Sequence, residues 1–307
     1  MLFRSALSAG NIAALNTSQL QALSTTQVRA LTDAQVGALL NGQVSALRTD
    51  QIANLTTDQI GDLSTSAIAA LTTAQVRAFG SAQLQSLSGD QLGALTSAQA
   101  RALTADGNGI GALTGDRLAS LSTTAVKALT TAQITQLGSA QLRALGTAQI
   151  NALTSGQVMV LAATTAGIGA LSNDQIAALS TTAVAALKTN QVQALSTDQV
   201  QSLQAGQVAK LSATAARQLT SSQLQVLAYS TVQSLLRQGI GEGLHHMLLP
   251  NHFSKIARAV FARQDEVRHR AGILCAAHAK PGGPDRHGHI TFFLIAACAC
   301  QIRLKAV

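Results

Sequence analysis

Side chains able to serve as nucleophile, proton shuttle or soft metal ligand are confined to one end of this 307-residue chain. All seven His (His245, His246, His252, His269, His278, His287 and His289) and all three Cys follow residue 240. Within that segment Cys275, His278, His287, His289, Cys298 and Cys300 offer imidazole and thiolate, the ligands zinc prefers, and form the one candidate metal cluster. Their C-x2-H, H-x-H and C-x-C spacings match no common structural zinc pattern, so the expectation is that they hold no metal. General acid–base or nucleophilic catalysis needs His, Cys or paired carboxylates held together. Residues 1–240 contain no His and no Cys, and their nine acidic residues are spread along the chain. The expectation is a non-enzyme without catalytic residues or cofactor.

The other feature with a chemical reading is a glycine-rich stretch, Leu103–Ala112 (LTADGNGIGA), where Gly107, Gly109 and Gly111 superficially match a phosphate-cradling loop. Such a loop follows a strand and carries a Lys at fixed spacing, and neither is present here. A second ten-residue stretch, Leu161–Ala170 (LAATTAGIGA), ends in the same Gly-Ile-Gly-Ala with fewer glycines before it. Both are expected to be wide turns or bulges in which glycine permits positive φ.

These two stretches interrupt a strict period. Leu recurs every eight residues from Leu7 to Leu71, Phe79 takes its place once, and the spacing resumes after each ten-residue unit and runs to Leu235. Numbered from the Leu, the octad reads Leu, Ser/Thr, any, small or Asp, Gln, Val/Ile/Leu, any, Ala; Leu71–Ala78 (LTTAQVRA) and Leu195–Ser202 (LSTDQVQS) are clear copies. In a continuous helix a period of eight rotates successive Leu by about 80° and spreads them around the surface. In a continuous strand Leu and Val would point to opposite faces, and the composition is poor in strand formers.

The period suits a helix that restarts. Ser/Thr at position 2 and Gln at position 5 form a capping box, while Leu at position 1 and Val at position 6 occupy the two sites of a hydrophobic staple. Position 2 is Ser or Thr in 18 of 28 units, which fixes the phase of the repeat. One such helix has too little apolar surface to offset the entropy of ordering eight residues, so stability must come from stacking units onto a shared core. The predicted fold is an all-α solenoid of very short helices, with positions 3, 4 and 7 outward and Ala at position 8 letting backbones approach. A parallel β-solenoid is the alternative.

The domain reading follows: a lead-in over 1–6, the octad solenoid over 7–238, a helical C-terminal cap over 239–271, where Ile256–Arg270 (IARAVFARQDEVRHR) is amphipathic and basic, and a basic His/Cys tail without a packed core over 272–307. Charge divides with it. Residues 1–240 carry 12 Lys/Arg against 9 Asp/Glu, a net of +3, and the remainder 9 against 4, a net of +5. A net of +3 spread over 240 residues is a poor footprint for phosphate binding, which makes nucleic acid an unlikely partner of the repeats. The longest apolar run, Ile290–Cys300, is shorter than the roughly 20 residues a membrane-spanning helix needs. The N-terminus lacks a sustained apolar stretch after Arg4, which argues against a cleaved secretory signal and leaves export by another route open.

Units such as LTTAQVRAL and LSTDQVQAL resemble the short Ala-Leu-Ser/Thr-x-Gln repeats of large bacterial surface or secreted proteins associated with adhesion or haem utilisation. The resemblance covers about residues 7–235 and implies a non-catalytic scaffold that presents a long polar surface to a protein or cell-surface partner. Haem ligation wants His, Tyr, Cys or Met, and the array offers only Tyr229 and Met159. Leu31–Ala38 (LTDAQVGA) is also similar to the first helix of transcription-activator-like effector repeats. Those units are over four times longer, place Pro after the Thr and read DNA through a variable pair that has no counterpart here. A nucleic-acid-associated repeat protein acting through its basic tail is the alternative function.

Overall fold

The computed structural model describes residues 8–163 and 166–227, all within the first structural unit of the chain, Met1–Leu248. The expected cap over 239–271, and the tail over 272–307 with its six candidate metal ligands, lie outside the described residues. Among the described residues there are 25 α-helices of four to six residues, two 3-10 helices (Ile110–Ala112 and Ile168–Ala170) and no strand. The fold is an all-α solenoid, and the β-solenoid alternative is set aside.

Each helix begins where the octad predicts. In Thr73–Arg77, Thr72 precedes the helix with extended φ/ψ of −71°/158°. Its hydroxyl accepts from the Gln75 amide at 3.2 Å, and Gln75 Oε1 accepts from the Thr72 amide at 2.7 Å. The helix ends one turn later because the next Leu, or Phe79 here, leaves the helical region after its N–H bonds the position-6 carbonyl, 3.3 Å for Phe79 to Val76. Position 1 thus closes one helix while position 2 opens the next, and two extended residues suffice to turn the chain.

The turn buries the staple pair. Val76 and Phe79 are 1% and 5% exposed, and Leu or its substitute at position 1 joins Val, Ile or Leu at position 6 in one continuous core from Ile12 to Leu227. That core is built by helices three units apart in sequence: Ser97–Ala102 packs on Thr73–Arg77 before it and Thr123–Ala128 after it. Three such strips of stacked helices make up the wall of the solenoid.

The two ten-residue units keep this register. Ile110 N–H bonds the Thr104 carbonyl at 2.9 Å and Ile168 N–H bonds the Ala162 carbonyl at 2.8 Å, so each insertion closes on itself and delivers an Ile to the core. The glycines serve a different purpose from the one expected. Gly109 and Gly167 both have φ of −104°, not positive, with ψ of −120° and −115°. A Cβ would stand 2.0 Å from the Thr104 carbonyl oxygen at Gly109 and 2.1 Å from the Ala162 carbonyl oxygen at Gly167. Close approach of backbone to backbone, and not the sign of φ, is what demands glycine there.

A longer period overlies the octad. Leu63–Ser120 and Leu121–Ala178 are equivalent 58-residue blocks of six octads and one ten-residue unit, with Leu-Thr-Thr-Ala-Gln at 71–75 and 129–133, Gly-Ser-Ala-Gln-Leu at 80–84 and 138–142, and Gly-Ile-Gly-Ala at 109–112 and 167–170.

Candidate interaction surface

Exposure follows the octad closely. In Leu71–Ala78 positions 2, 3 and 4 (Thr72, Thr73, Ala74) and position 7 (Arg77) are exposed, positions 1, 5 and 6 are buried, and Ala78 is intermediate. Positions 3, 4 and 7 were expected outside. Position 5 was expected only as half of a capping box, yet sixteen of its Gln side chains are buried, and no other polar residue type is buried among the described residues.

Burying a primary amide is costly unless both of its ends are bonded. Gln91 shows how this is met. Its Oε1 accepts from the Ser88 amide at 2.7 Å, while Nε2 donates to the carbonyls of Ile60, Gly61 and Leu63 at 3.0, 3.0 and 2.6 Å. Those carbonyls close the helix four units earlier, so a single side chain caps the start of its own helix and the end of another one turn below. Gln43, Gln51, Gln75, Gln99, Gln157 and Gln207 repeat the arrangement. Across the ten-residue units the same bonds persist with two more intervening residues, as in Gln133 to Ala100 and Leu103 at 2.9 and 2.7 Å. No buried side-chain nitrogen or oxygen among the described residues lacks a partner.

Position 7 supplies a second bond between turns, directed the other way. Gln21 Nε2 donates to the Ala46 carbonyl at 2.7 Å, Arg77 Nε to Ala102 at 3.3 Å, Arg101 Nε to Ala128 at 3.3 Å, Arg143 Nε to Ala170 at 3.0 Å and Asn151 Nδ2 to Ala178 at 2.9 Å. With Gln reaching four units back and position 7 reaching three units ahead, one superhelical turn takes about three and a half units, close to the 28 residues that separate most of these Gln from the Leu carbonyl they cap. The 58-residue block of seven units therefore spans about two turns.

The cross-turn role of Gln left a trace in the chain that a reading of the capping box passed over. Leu40, Arg48, Gly80, Gly138, Gly146, Lys188 and Gln204 cannot or do not cap with a side-chain hydroxyl, yet Gln stands three residues later in every one of those units and still accepts from the position-2 amide. A residue retained when its supposed partner is lost has another task. Where position 5 is Ala (Ala67, Ala125, Ala183, Ala215), position 2 is always Ser, whose hydroxyl still accepts from the position-5 amide at 3.1 Å.

The remaining exposed groups are hydroxyls, amides and scattered charges. Arg48 and Asp50 form an ion pair at 3.0 Å, and hydrogen bonding from the guanidinium holds the Asp50 carboxyl below its ordinary range. Arg48 also donates to the Gln21 carbonyl. In the first ten-residue unit Asp106 accepts from the Thr104 hydroxyl at 2.6 Å and from the amides of Asn108 and Gly109 at 2.9 and 3.0 Å; the Thr104 hydroxyl first, then these amides, lower its pKa. Gly107, Gly109 and Gly111 thus frame a carboxylate that is satisfied by its own loop, not a phosphate cradle. A shallow groove of about 600 Å³ between turns is lined by Thr147, Asn151, Ser180, Thr181 and Gln204 over an alanine floor, and it presents no ionisable group. No group of three or more His, Cys, Asp or Glu suited to a metal occurs among the described residues, and no described helix is long and apolar enough to cross a membrane.

The ALTTAQ repeat model matches residues 12–49, 68–105, 135–163 and 168–205. The unmatched interval 106–134 holds the Asp106 loop and the two units with Arg117 and Ala125 at the Gln position, the interval 164–167 falls in the second ten-residue unit, and the interval 50–67 holds the regular octad Leu55–Asp62 beside the unit with Ala67 at the Gln position. No curated protein matches the chain. Octads that cap themselves and the turn beneath make this an octapeptide-repeat chain, and its four matched segments are similar to repeats of the Ala-Leu-Thr-Thr-Ala-Gln type.

Proposed function

We propose that the chain is an adhesin-like, exported scaffold that holds a long polar surface against a protein or cell-surface partner. What supports this is the division of labour within the octad. The bonding capacity of the buried Gln is consumed inside the solenoid, and the outward triplet at positions 2 to 4 repeats small hydroxyl side chains on nearly every unit. Such a surface is hydrated and low in charge, and affinity for a partner comes from many weak contacts in register, the regime in which avidity dominates.

The test is adhesion of beads carrying the full chain to bacterial and host cell surfaces. Beads carrying Thr57→Glu/Thr65→Glu/Thr73→Glu serve as the comparison, because acidic residues at the first helical position are tolerated by the fold. Retention by the native chain that falls several-fold with the triple variant supports the reading; retention no better than on uncoated beads overturns it. Binding to DNA at low salt that disappears on removal of 241–307 would instead favour a nucleic-acid partner held by the basic tail.

A further inference from the structure

The three strips of stacked helices differ in charge. One strip runs through Thr25–Arg29, Thr49–Ala53, Thr73–Arg77, Ser97–Ala102 and Thr123–Ala128. Its units carry Arg29, Arg48, Arg77, Arg101 and Lys127, all exposed, and one acid, Asp50, which is paired with Arg48. The strip formed by the units that follow each of these in sequence carries the exposed acids Asp33, Asp58, Asp62 and Asp106 and no Lys or Arg from Leu7 to Ala14, Leu31 to Ala38, Leu55 to Asp62, Phe79 to Ser86 or Leu103 to Ala112. The third strip is mixed, with Asp90, Asp116, Arg117 and Arg143. Beyond Lys127 the first strip loses its positive character, with Asn151, Asp174 and Asp198 in its next units.

We propose that the basic strip from Arg29 to Lys127 is a docking surface for the acidic strip of a second copy of this chain, giving a side-by-side pair of solenoids held by charge. Two observations single out a second copy. Both strips advance by the same three-unit step, so the acids of the stacked units Leu31–Ala38 and Leu55–Asp62 recur at the pitch of the cations, a match that lapses at Phe79–Ser86, which carries no acid; a partner of another architecture has no such common step. The cations are also held in place, since Arg77 and Arg101 each use Nε to bond the carbonyl of the next helix in the strip, at 3.3 Å, which lays the guanidinium along the surface. Holding the side chain before association removes part of the ordering cost that makes exposed ion pairs weak. Each three-unit step falls half a unit short of a full turn, so the strips wind by about a seventh of a revolution per step and the contact covers two or three neighbouring units, not the whole length.

The test is the weight-average mass of the nuclease-treated full chain by sedimentation across a concentration series. It is run at about 20 and about 300 mM salt, where the screening length falls from roughly 20 to roughly 6 Å. Three samples are compared: the native chain, the basic-strip variant Arg77→Glu/Arg101→Glu/Lys127→Glu, and the acidic-strip variant Asp33→Lys/Asp58→Lys/Asp62→Lys, with helical content checked by circular dichroism. The expected result is a native mass rising toward twice the monomer at low salt only, monomeric behaviour of each variant alone, and renewed association when the two variants are mixed. A native chain that stays monomeric at low salt overturns the proposal. So does association that survives either reversal, which would assign the contact to another segment such as the basic tail, and so does a mixture of the variants that remains monomeric.

Discussion

The amide at position 5 ties each turn of this fold to the one below. It has two chemically distinct ends, and the solenoid uses the acceptor within its own octad and the donor on the turn below. Replacing Gln91 by Glu keeps the size and the acceptor and removes the donor, leaving the carbonyls of Ile60, Gly61 and Leu63 facing a carboxylate. Burial and those carbonyl oxygens raise the pKa of the introduced carboxyl above its unfolded value of about 4.3. A raised folded pKa means that its contribution is fully present below the unfolded value and is lost as pH rises through the folded one. Gln91→Glu should therefore cost roughly 3 kcal/mol or more at pH 7 and clearly less near pH 4, read from denaturant unfolding of the variant and native chains at both pH values. Gln91→Ala, which removes both ends, should cost about 2–4 kcal/mol with no such pH dependence. The capping half of this role was legible from spacing alone, since Thr72 and Gln75 announce it. The cross-turn half was not, because periodicity shows which residues recur and not what lies a superhelical turn away. The units that keep Gln after losing the hydroxyl, such as Leu40–Gln43 and Lys188–Gln191, were the available hint.

At the scale of the element, the short helix was readable because its start and stop signals are local, while the geometry of the ten-residue units was not. Glycine at such a turn has more than one use, and the common one, positive φ, was not the one realised. The contrast between two glycines of one loop makes this testable. Gly109→Ala drives a Cβ into the Thr104 carbonyl and should cost roughly 2–4 kcal/mol, whereas Gly107 has no neighbouring atom within 4 Å of the added group, and Gly107→Ala should stay within about 0.5 kcal/mol of the native chain, both by thermal unfolding. The same loop predicts a local pH effect. Hydrogen bonds from Thr104, Asn108 and Gly109 depress the Asp106 pKa, so the order they give is present above the ordinary carboxylate range and is lost as pH falls through the lowered folded value. Amide exchange at Asn108 and Gly109, corrected for the intrinsic rate, should quicken at low pH in the native chain; Asp106→Ala should show the faster exchange at every pH.

Among the described residues each unit packs chiefly on those three units away and hydrogen-bonds those four units away, which makes stability a sum of nearby terms instead of one global transition. Coverage is uneven: Leu15 and Leu23 are only partly buried, while Leu87, Leu95 and Leu113 are 0–2% exposed. Hydrogen exchange by mass spectrometry should accordingly show protection rising from Ala9–Leu31 to a maximum through the middle units, and a uniform, all-or-none exchange pattern would contradict a nearest-neighbour array. The architecture itself followed from the sequence, because an octad that fits neither a continuous helix nor a strand leaves few ways to bury its Leu. The separation of charge into strips did not, since it depends on which units become neighbours, and that number, three to four per turn, is fixed by packing.

The 58-residue block has a mechanical corollary. A screw lengthened by about two revolutions advances with little turning of its tip, and a chain that gains or sheds one of these blocks would extend or retract the units beyond it while leaving their side chains aimed in nearly the same direction. Growth by copying the block would thus alter reach with little change of bearing, a freedom that adding octads one at a time does not give.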